Sequence, residues 1–227
     1  MTTANGVNEH GNRRQFLARA RERLIGFEPH NLAHPLPERG PVPYVRSSLL
    51  DEADLVGSFV RNAEAARVRV HRTGARSVTK RVLADIVERH GVHRAVLSAE
   101  REAQTARAML EGLGVVVDEL SIEAAAKADL GVTSATFAIA TTGTLVQESS
   151  AAGGRTASLL PRVHLAIVPA RRIVASTAEV LRGLGVAGRL PSNLVLITGP
   201  SRSGDIEQII ALGVHGPIAV EVVLLGA

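Results

Sequence analysis

The chain has 227 residues, 45% of them apolar and 21% charged, a balance that supports a packed core and excludes a disordered protein. It contains no cysteine, which excludes disulfides and any iron–sulfur cluster held by this chain alone. The net charge of +4 comes from arginines interleaved with acidic residues, and aromatic residues make up only 2%, so we expect no nucleic-acid binding.

The N-terminal residues 1–45 are predicted to form an arm separate from the rest of the chain. A basic helix spans Arg13 to Leu24, and five prolines between positions 29 and 43 then favour an extended segment. This segment is interpreted as a linker that wraps the domain or reaches a neighbouring subunit of a homo-oligomer. The arm has no apolar region typical of a secretory signal, so we expect a cytoplasmic protein with no membrane span.

The first part of residues 46–227 predicts helices followed by strand–helix alternation. Two amphipathic helices are expected at Leu50–Val70 and Val78–His90. After them come a strand at 95–99, a helix at 102–110, a strand at 114–120 and a short helix at 122–127. Continuous apolar strands that alternate with helices are typical of a parallel sheet covered on both faces.

The second part adds a hairpin to this pattern. The β-rich runs 132–140 and 144–149 flank a short turn, which leaves no room for a parallel crossover and therefore predicts an antiparallel pair. The remaining predicted elements are a helix at 156–160, strands at 164–169 and 193–198 separated by a helix at 178–184, a helix at about 204–212, and a strand at 218–225 that closes the sheet. The sequence thus predicts one α/β domain, a mainly parallel sheet flanked by helices with an inserted β-hairpin.

Two interpretations apply to the turn after the strand at 193–198. The N-terminus of the helix predicted to follow Gly199 would attract an anion, with help from Ser201 and Arg202. Alternatively, the segment is a capped helix between two strands, in which Asp205 and Glu207 interact with the helix dipole and would repel a phosphate.

A second glycine turn holds His215, just before the last strand. Gly216 lets the backbone turn tightly, which would bring the imidazole towards the cleft at the strand ends as an acid–base group. The alternative is a hydrogen-bonded structural histidine. No spacing of histidines and carboxylates singles out a metal site, so none is predicted.

The turn of the hairpin offers hydroxyl groups and backbone amides. Thr142, Gly143 and Thr144 could orient a carboxylate or nucleotide, with Glu148 near the end of the second strand. Equally, threonine is a good strand residue and glycine is what a tight turn requires.

Three blocks of sequence resemble the LUD-domain family, the lactate-utilisation proteins of the LutC/YkgG type. They are ADLGVTSATFAIATTGTLV at 128–146, ASLLPRVHLAIVP at 157–169 and ITGPSRSGDIEQIIALGVHGP at 197–217. The resemblance implies a fold similar to the NagB/RpiA/CoA-transferase group. It further implies an accessory role in the oxidation of L-lactate to pyruvate, beside partner subunits that carry iron–sulfur clusters, with no cofactor bound by this chain alone.

The resemblance also implies a shared surface in which the glycine turns and the hairpin turn line one cleft. The family often has Glu at the position of Thr141, so this chain departs from the pattern, and Glu148 is the alternative carboxylate. The resemblance does not decide whether the chain is an enzyme; if it is one, the candidate catalytic residues are Glu148, Asp205, Glu207 and His215. The second hypothesis is therefore a free-standing enzyme or binder for a phosphorylated, acyl-CoA or folate-like ligand at the strand-end cleft.

Overall fold

The structure is a computed structural model that describes residues 51, 53–74, 78–149, 155–186, 191, 193–204, 210–212 and 216–227, with backbone alone at 186, 202–204 and 210–212. The predicted arm at residues 1–45 lies outside this set.

The described elements alternate along much of the chain. The strands are β1 (Arg69–Thr73), β2 (Arg94–Leu97), β3 (Val116–Asp118), β4 (Leu130–Ser134), β5 (Phe137–Ile139), β6 (Thr144–Glu148), β7 (Val163–Pro169), β8 (Ile173–Val174), β9 (Leu194–Ile197), β10 (Arg202–Gly204), β11 (Ile210–Leu212) and β12 (Ala219–Leu225). The helices are α1 (Leu55–Ala65), α2 (Lys80–His90), α3 (Arg101–Gln104), α4 (Arg107–Glu111), α5 (Ile122–Lys127), α6 (Thr156–Leu159) and α7 (Thr177–Val186). A 3₁₀ turn at Ala170–Arg172 separates β7 from β8.

Six of the strands form one sheet in which every pair is parallel, in the order β1-β12-β7-β4-β2-β3. From β2 the chain moves outward to β3, and from β4 it moves the other way through β7 to β12. Successive connections therefore diverge between β2 and β4. In open α/β sheets, such a switch point leaves a crevice at the carboxyl ends of the two strands.

One face of this sheet packs against α2 and α4. Helix α2 begins where the Thr79 hydroxyl accepts a hydrogen bond from the Val82 amide at 3.4 Å, and it ends at Gly91, whose φ of 59° is left-handed. Leu83 and Ile86 on its inner side are completely buried in a core that includes residues from β2, β4, β7 and β12. The amphipathic pattern of the helix thus positions the large apolar side chains over the sheet.

The other face packs against α1 and a second sheet, whose order is β8-β5-β6-β9. Here β5 and β6 are the antiparallel hairpin, β8 adds to β5 in parallel, and β9 adds to β6 antiparallel. The far side of this second sheet carries a smaller apolar cluster, with Val180 and Leu184 of α7. The second sheet therefore forms an additional layer between the parallel sheet and α7.

The parallel sheet contains a buried carboxylate. Glu221 of β12 is 2% exposed and accepts hydrogen bonds from His71 at 2.7 Å and His90 at 2.8 Å, with Arg69 and Arg89 within 4 Å. Burial favours a raised pKa for this carboxyl, but the histidine hydrogen bonds and charges outweigh burial, so its pKa is lowered. The cluster thus joins β12 to β1 and to the end of α2.

The structure confirms the mainly parallel α/β sheet with flanking helices and an inserted hairpin, and it corrects several predicted elements, among them the helix at 102–110, which is two helices, α3 and α4. The predicted helix at 50–70 is too long, because 69–73 form β1. The run 132–140 is not a single strand: 130–134 belong to the parallel sheet and 137–139 to the second sheet. The last strand does not close the sheet, since it lies between β1 and β7.

The predicted helix at about 204–212 is wrong. Residues 202–204 and 210–212 pair as antiparallel strands, with Arg202 opposite Leu212. An anion site at the N-terminus of a helix therefore has no structural basis at Gly204. The preceding strand, predicted at 193–198, is β9 at the edge of the second sheet rather than a strand of the parallel sheet.

Candidate functional site

A cavity of about 640 Å³ opens at the carboxyl ends of the parallel strands. Its lining residues come from three separate segments: Arg101, Glu102 and Thr105 of α3 and the turn after it, Pro169, Ala170 and Arg171 after β7, and Leu225 and Gly226 at the end of β12. Helix α3 follows β2 after three residues and packs against β4 and β7. The cavity therefore lies beside the switch point of the sheet, where α/β proteins bind ligands.

Arg172 lies next to the cavity residue Arg171 and connects the end of β4 to α3. One guanidinium nitrogen donates to the Ser134 hydroxyl and to the Ala135 carbonyl, both at 2.9 Å. The other donates to Glu102 at 2.7 Å. Ser134 ends β4, Ala135 follows it and Glu102 lies in α3. Because Arg172 itself follows β7, its guanidinium fixes α3 to the carboxyl ends of β4 and β7.

Glu100 precedes α3 in the same network. The Ser98 hydroxyl donates to its carboxylate, and Gln104 donates to the Ser98 carbonyl at 2.7 Å. Burial raises the pKa of Glu100, helped by the charge of Glu102, although hydrogen bonds from Ser98 and with the backbone of Glu100 and Ser134 oppose the rise. This carboxyl therefore keeps its proton to a higher pH than an exposed glutamate.

Two arginines of the cavity differ from Arg172 in lacking such partners. Arg101 and Arg171 are exposed at the cavity lining, and neither has an ion-pair or hydrogen-bond partner for its side chain among the described residues. Glu102, the acidic group of the lining, is paired with Arg172 instead. The cavity consequently presents unpaired positive charge above an apolar surface of Pro169, Ala170 and Leu225.

The predicted hairpin turn lies elsewhere. Its hydroxyls form a chain in which Thr142 contacts Thr144 at 2.7 Å and Thr144 contacts Thr198 at 2.8 Å. The structure thus brings Thr142 and Thr144 together with the strand end before Gly199, as the sequence analysis expects.

Both glycines of this group lie against α1. Gly143 has a φ of 64° and Gly199 a φ of 95°, and a Cβ would collide with the backbone of Ala63 at the first and with the carbonyl of Ala66 at the second. The Asn62 amide also donates to the Ala140 carbonyl at 2.7 Å. The glycines therefore allow the hairpin and the end of β9 to approach the end of α1.

Ser201 and Gly216 meet at the other end of the sheet from the cavity. The Ser201 amide donates to the Pro217 carbonyl at 2.9 Å, and the position of a Cβ on Gly216 lies 3.3 Å from the Ser201 Cβ. Both Gly216 and Pro217 precede β12, whereas the cavity lies after its last residue, about 20 Å further along at the usual strand rise. Gly216 and Pro217 therefore lie away from the cavity and beside Ser201, while the approach of the His215 imidazole to the strand-end cleft stays a prediction.

The other predicted residues are dispersed or outside the described part. Glu148 lies at the opposite end of β6 from Thr144, partly buried and paired with Leu194. The backbone of Arg202 lies in β10, but its side chain is not described, and Asp205, Glu207 and His215 lie outside the described residues. Thr141, the departure from the family pattern, donates its hydroxyl to the Ala175 carbonyl. Ligand binding or catalysis by any of these residues stays a prediction.

Sequence reasoning missed every residue of the strand-end cavity. A signal was present, because Glu100, Arg101 and Glu102 follow a buried strand and Arg171-Arg172 follow another. In a parallel sheet such positions meet at one edge, but only the strand order shows which of them are neighbours.

In the described part of the chain, no group of three histidine or carboxylate side chains is arranged to hold a metal ion. Among the helices described, none is long and apolar enough to cross a membrane.

The parallel sheet and its strand-end cavity define an open-sheet α/β protein with a candidate site at the carboxyl ends of its strands. The family model described as LUD domain matches residues 56–225, which contain the six-stranded and four-stranded sheets and every residue that lines the cavity except Gly226. The chain belongs to the LUD domain family, as the three sequence blocks indicate.

Several relatives carry the name Lactate utilization protein C. The protein from Shouchella clausii is 46% identical over 101 residues, 43% of this chain and 44% of the relative. That from Bacillus subtilis is 38% identical over 111 residues, 47% of this chain and 46% of the relative. These matches thus span less than half of the relatives' length. The protein named Lactate utilization protein C 1 from Bacillus mycoides is 28% identical over 230 residues, 94% of this chain and 97% of the relative.

A solved structure supports the fold. The crystal structure of a DUF162 family protein from Deinococcus radiodurans matches with a TM-score of 0.57 and 22% identity, covering 78% of this chain and 99% of the other. At that identity the similarity shows the fold alone.

Proposed function

We propose that this chain takes part in lactate utilisation as an accessory subunit of an L-lactate oxidation system, in which partner subunits carry the iron–sulfur clusters. The observation that carries the proposal is the LUD domain match over residues 56–225, together with the name of the relatives, one of which aligns over 94% of this chain. The absence of cysteine is consistent with this division of labour, because the chain cannot itself ligate a cluster through thiolates.

A deletion of the gene tests this role. We expect the deleted strain to grow poorly with L-lactate as its carbon source and normally with pyruvate, the product of the oxidation. Reintroducing the gene should restore growth on lactate, and purification of the tagged chain from lactate-grown cells should recover subunits with iron–sulfur absorbance. Unchanged growth on L-lactate would contradict the proposal.

The second candidate function is that the chain, without partner subunits, binds a small molecule at the strand ends. This ligand would be phosphorylated, an acyl-CoA or folate-like. The cavity of about 640 Å³ favours it, since this volume lies within the usual range of about 300–1,000 Å³ for small-molecule sites. Thermal denaturation of the purified chain with each ligand class measures such binding, because a ligand that binds only the folded state raises the melting temperature.

A further inference from the structure

We propose that the strand-end cavity binds an organic anion, whose carboxylate or phosphate group is held between Arg101 and Arg171 while its nonpolar part contacts Pro169, Ala170 and Leu225. The inference rests on the second function proposed above and names its ligand chemistry and the residues that recognise it. It does not depend on the role in lactate utilisation.

Charge is the first argument. Arginine presents a planar fork of donors that matches the oxygens of a carboxylate or phosphate, so an arginine without a protein partner at a cavity is suited to an external anion. Arg101 and Arg171 meet this condition in the described part of the chain. Glu102 does not cancel their charge, because Arg172 holds its carboxylate at 2.7 Å.

Rigidity of the surroundings is the second argument. The segments that carry the two free arginines are fixed by Arg172, which donates to Ser134, Ala135 and Glu102. Arg101 is next to Glu102 in α3, and Arg171 is next to Arg172 in the 3₁₀ turn. The backbone positions of both arginines are thus set before any ligand binds, which reduces the ordering cost of binding.

Size and polarity are the third argument. A cavity of about 640 Å³ holds a ligand much larger than a three-carbon acid, since a water molecule takes about 30 Å³ of liquid volume. A small ion would leave the apolar lining residues Pro169, Ala170 and Leu225 in contact with water. We therefore expect anions with a nonpolar body to bind more tightly than simple ions.

The binding experiment uses the full chain and five probes in isothermal titration calorimetry. Octanoate is a carboxylate with a nonpolar body, ATP and acetyl-CoA are organic phosphates, and pyruvate and inorganic phosphate are anions without such a body. We expect octanoate or one of the organic phosphates to bind more tightly than pyruvate and phosphate. The affinity should fall as salt is raised, because ions screen exposed charges.

Variants assign the binding to the cavity. Arg101→Gln and Arg171→Gln should each weaken the binding probe at least about tenfold, as expected for the loss of a charged hydrogen-bond partner. Arg162→Gln is the matched control, because this exposed arginine precedes β7 at the opposite end of the sheet and its loss changes the net charge equally. Ala170→Phe fills the cavity without removing charge and should also weaken binding, and circular dichroism checks that each variant is folded.

The outcomes separate this inference from the lactate role. Binding of a probe that both arginine variants and Ala170→Phe weaken, while Arg162→Gln does not, supports the inference whatever the deleted strain does on lactate. No measurable binding of any probe to the wild-type chain, or equal weakening by Arg162→Gln, overturns it. In that case the proposed role in lactate utilisation is still tested separately, by the growth of the deleted strain on L-lactate.

Discussion

His164 lies on β7 with 1% exposure, opposite Gly131 of β4. Its Nε2 contacts the Thr133 hydroxyl at 2.7 Å, while Nδ1 has no partner. Burial lowers the pKa of the imidazole from 6.5 to about 4. The side chain is therefore neutral in the folded protein over a pH range in which the unfolded chain is protonated.

This imidazole should make the protein less stable as the pH falls. Below pH 6.5 the imidazole binds a proton in the unfolded state, whereas in the folded state it does so only below about pH 4. Lowering the pH therefore favours the unfolded state. Between about pH 7.5 and pH 5 we expect a loss of roughly 2 kcal/mol in the free energy of unfolding from this residue. His164→Gln should remove that part of the slope, measured by urea denaturation at both pH values. An identical slope in wild type and variant would contradict the assignment, since all other titrating groups are shared.

Gly143 offers a test of backbone geometry at the hairpin turn. Its φ of 64° and the contact with the backbone of Asn62 and Ala63 leave no space for a Cβ. Gly143→Ala should lower the free energy of unfolding by roughly 2–4 kcal/mol. Gly185→Ala in α7 is the control: a Cβ there meets nothing within 4 Å, and alanine in a helix is favoured by about 0.5–1 kcal/mol. Equal stability of the two variants would argue against this packing of the turn on α1.

At the scale of elements, Arg172 determines how α3 sits on the sheet. Lysine retains the charge but lacks the fork of donors, so Arg172→Lys cannot hold Ser134, Ala135 and Glu102 together. We expect a loss of about 1–2 kcal/mol in the free energy of unfolding, because the pair is only partly buried. Arg182→Lys, on the exposed side of α7, should have no measurable effect. Chemical denaturation of both variants checks the difference.

Some elements could be predicted because local sequence determines them. The helix at 122–127 was predicted with its observed bounds, since Ser121 caps it by accepting a hydrogen bond from the Ala124 amide at 3.0 Å. The strand at 164–169 was one residue short of β7, because a buried parallel strand is a continuous apolar run.

Other elements could not be predicted from local pattern. The spacing of Ile206, Ile209 and Ile210 resembles one face of a helix, yet 210–212 pair with 202–204. β1 carries charged residues because it is an edge strand, so its sequence lacks the apolar run of an interior strand. In both cases pairing with another segment overrides the local preference.

At the scale of the whole molecule, the candidate site was predicted in its general place but not in its residues. The sequence favoured a cleft at the strand ends, and the cavity lies there. Its residues come from positions 101–105, 169–171 and 225–226, and no pattern within one segment indicates that these meet. The described residues of the segment 197–217 instead lie in β9, the β10–β11 pair and the residues before β12, and none of them lines the cavity.

The described domain should fold without the N-terminal arm. The buried residues of both apolar layers of the parallel sheet lie between Phe59 and Leu225. A chain of residues 46–227 is therefore expected to unfold in one cooperative transition, with a melting temperature within a few degrees of the full chain. Calorimetry of the two chains measures this. A broad, non-cooperative transition in the shorter chain would show that the arm contributes to the core.

The position of β12 has a consequence for synthesis of the protein on the ribosome. This last strand lies between β7 and β1, and β1 is joined to the parallel sheet through β12, a partner about 150 residues later in the chain. The nascent chain can therefore pair β2, β3, β4 and β7 in succession as they emerge, but β1 has no partner in the parallel sheet until β12 has left the exit tunnel. Such distant pairing slows folding and prolongs the exposure of unpaired strand edges. A nascent chain stalled before residue 219 would therefore hold an incomplete sheet that chaperones can bind.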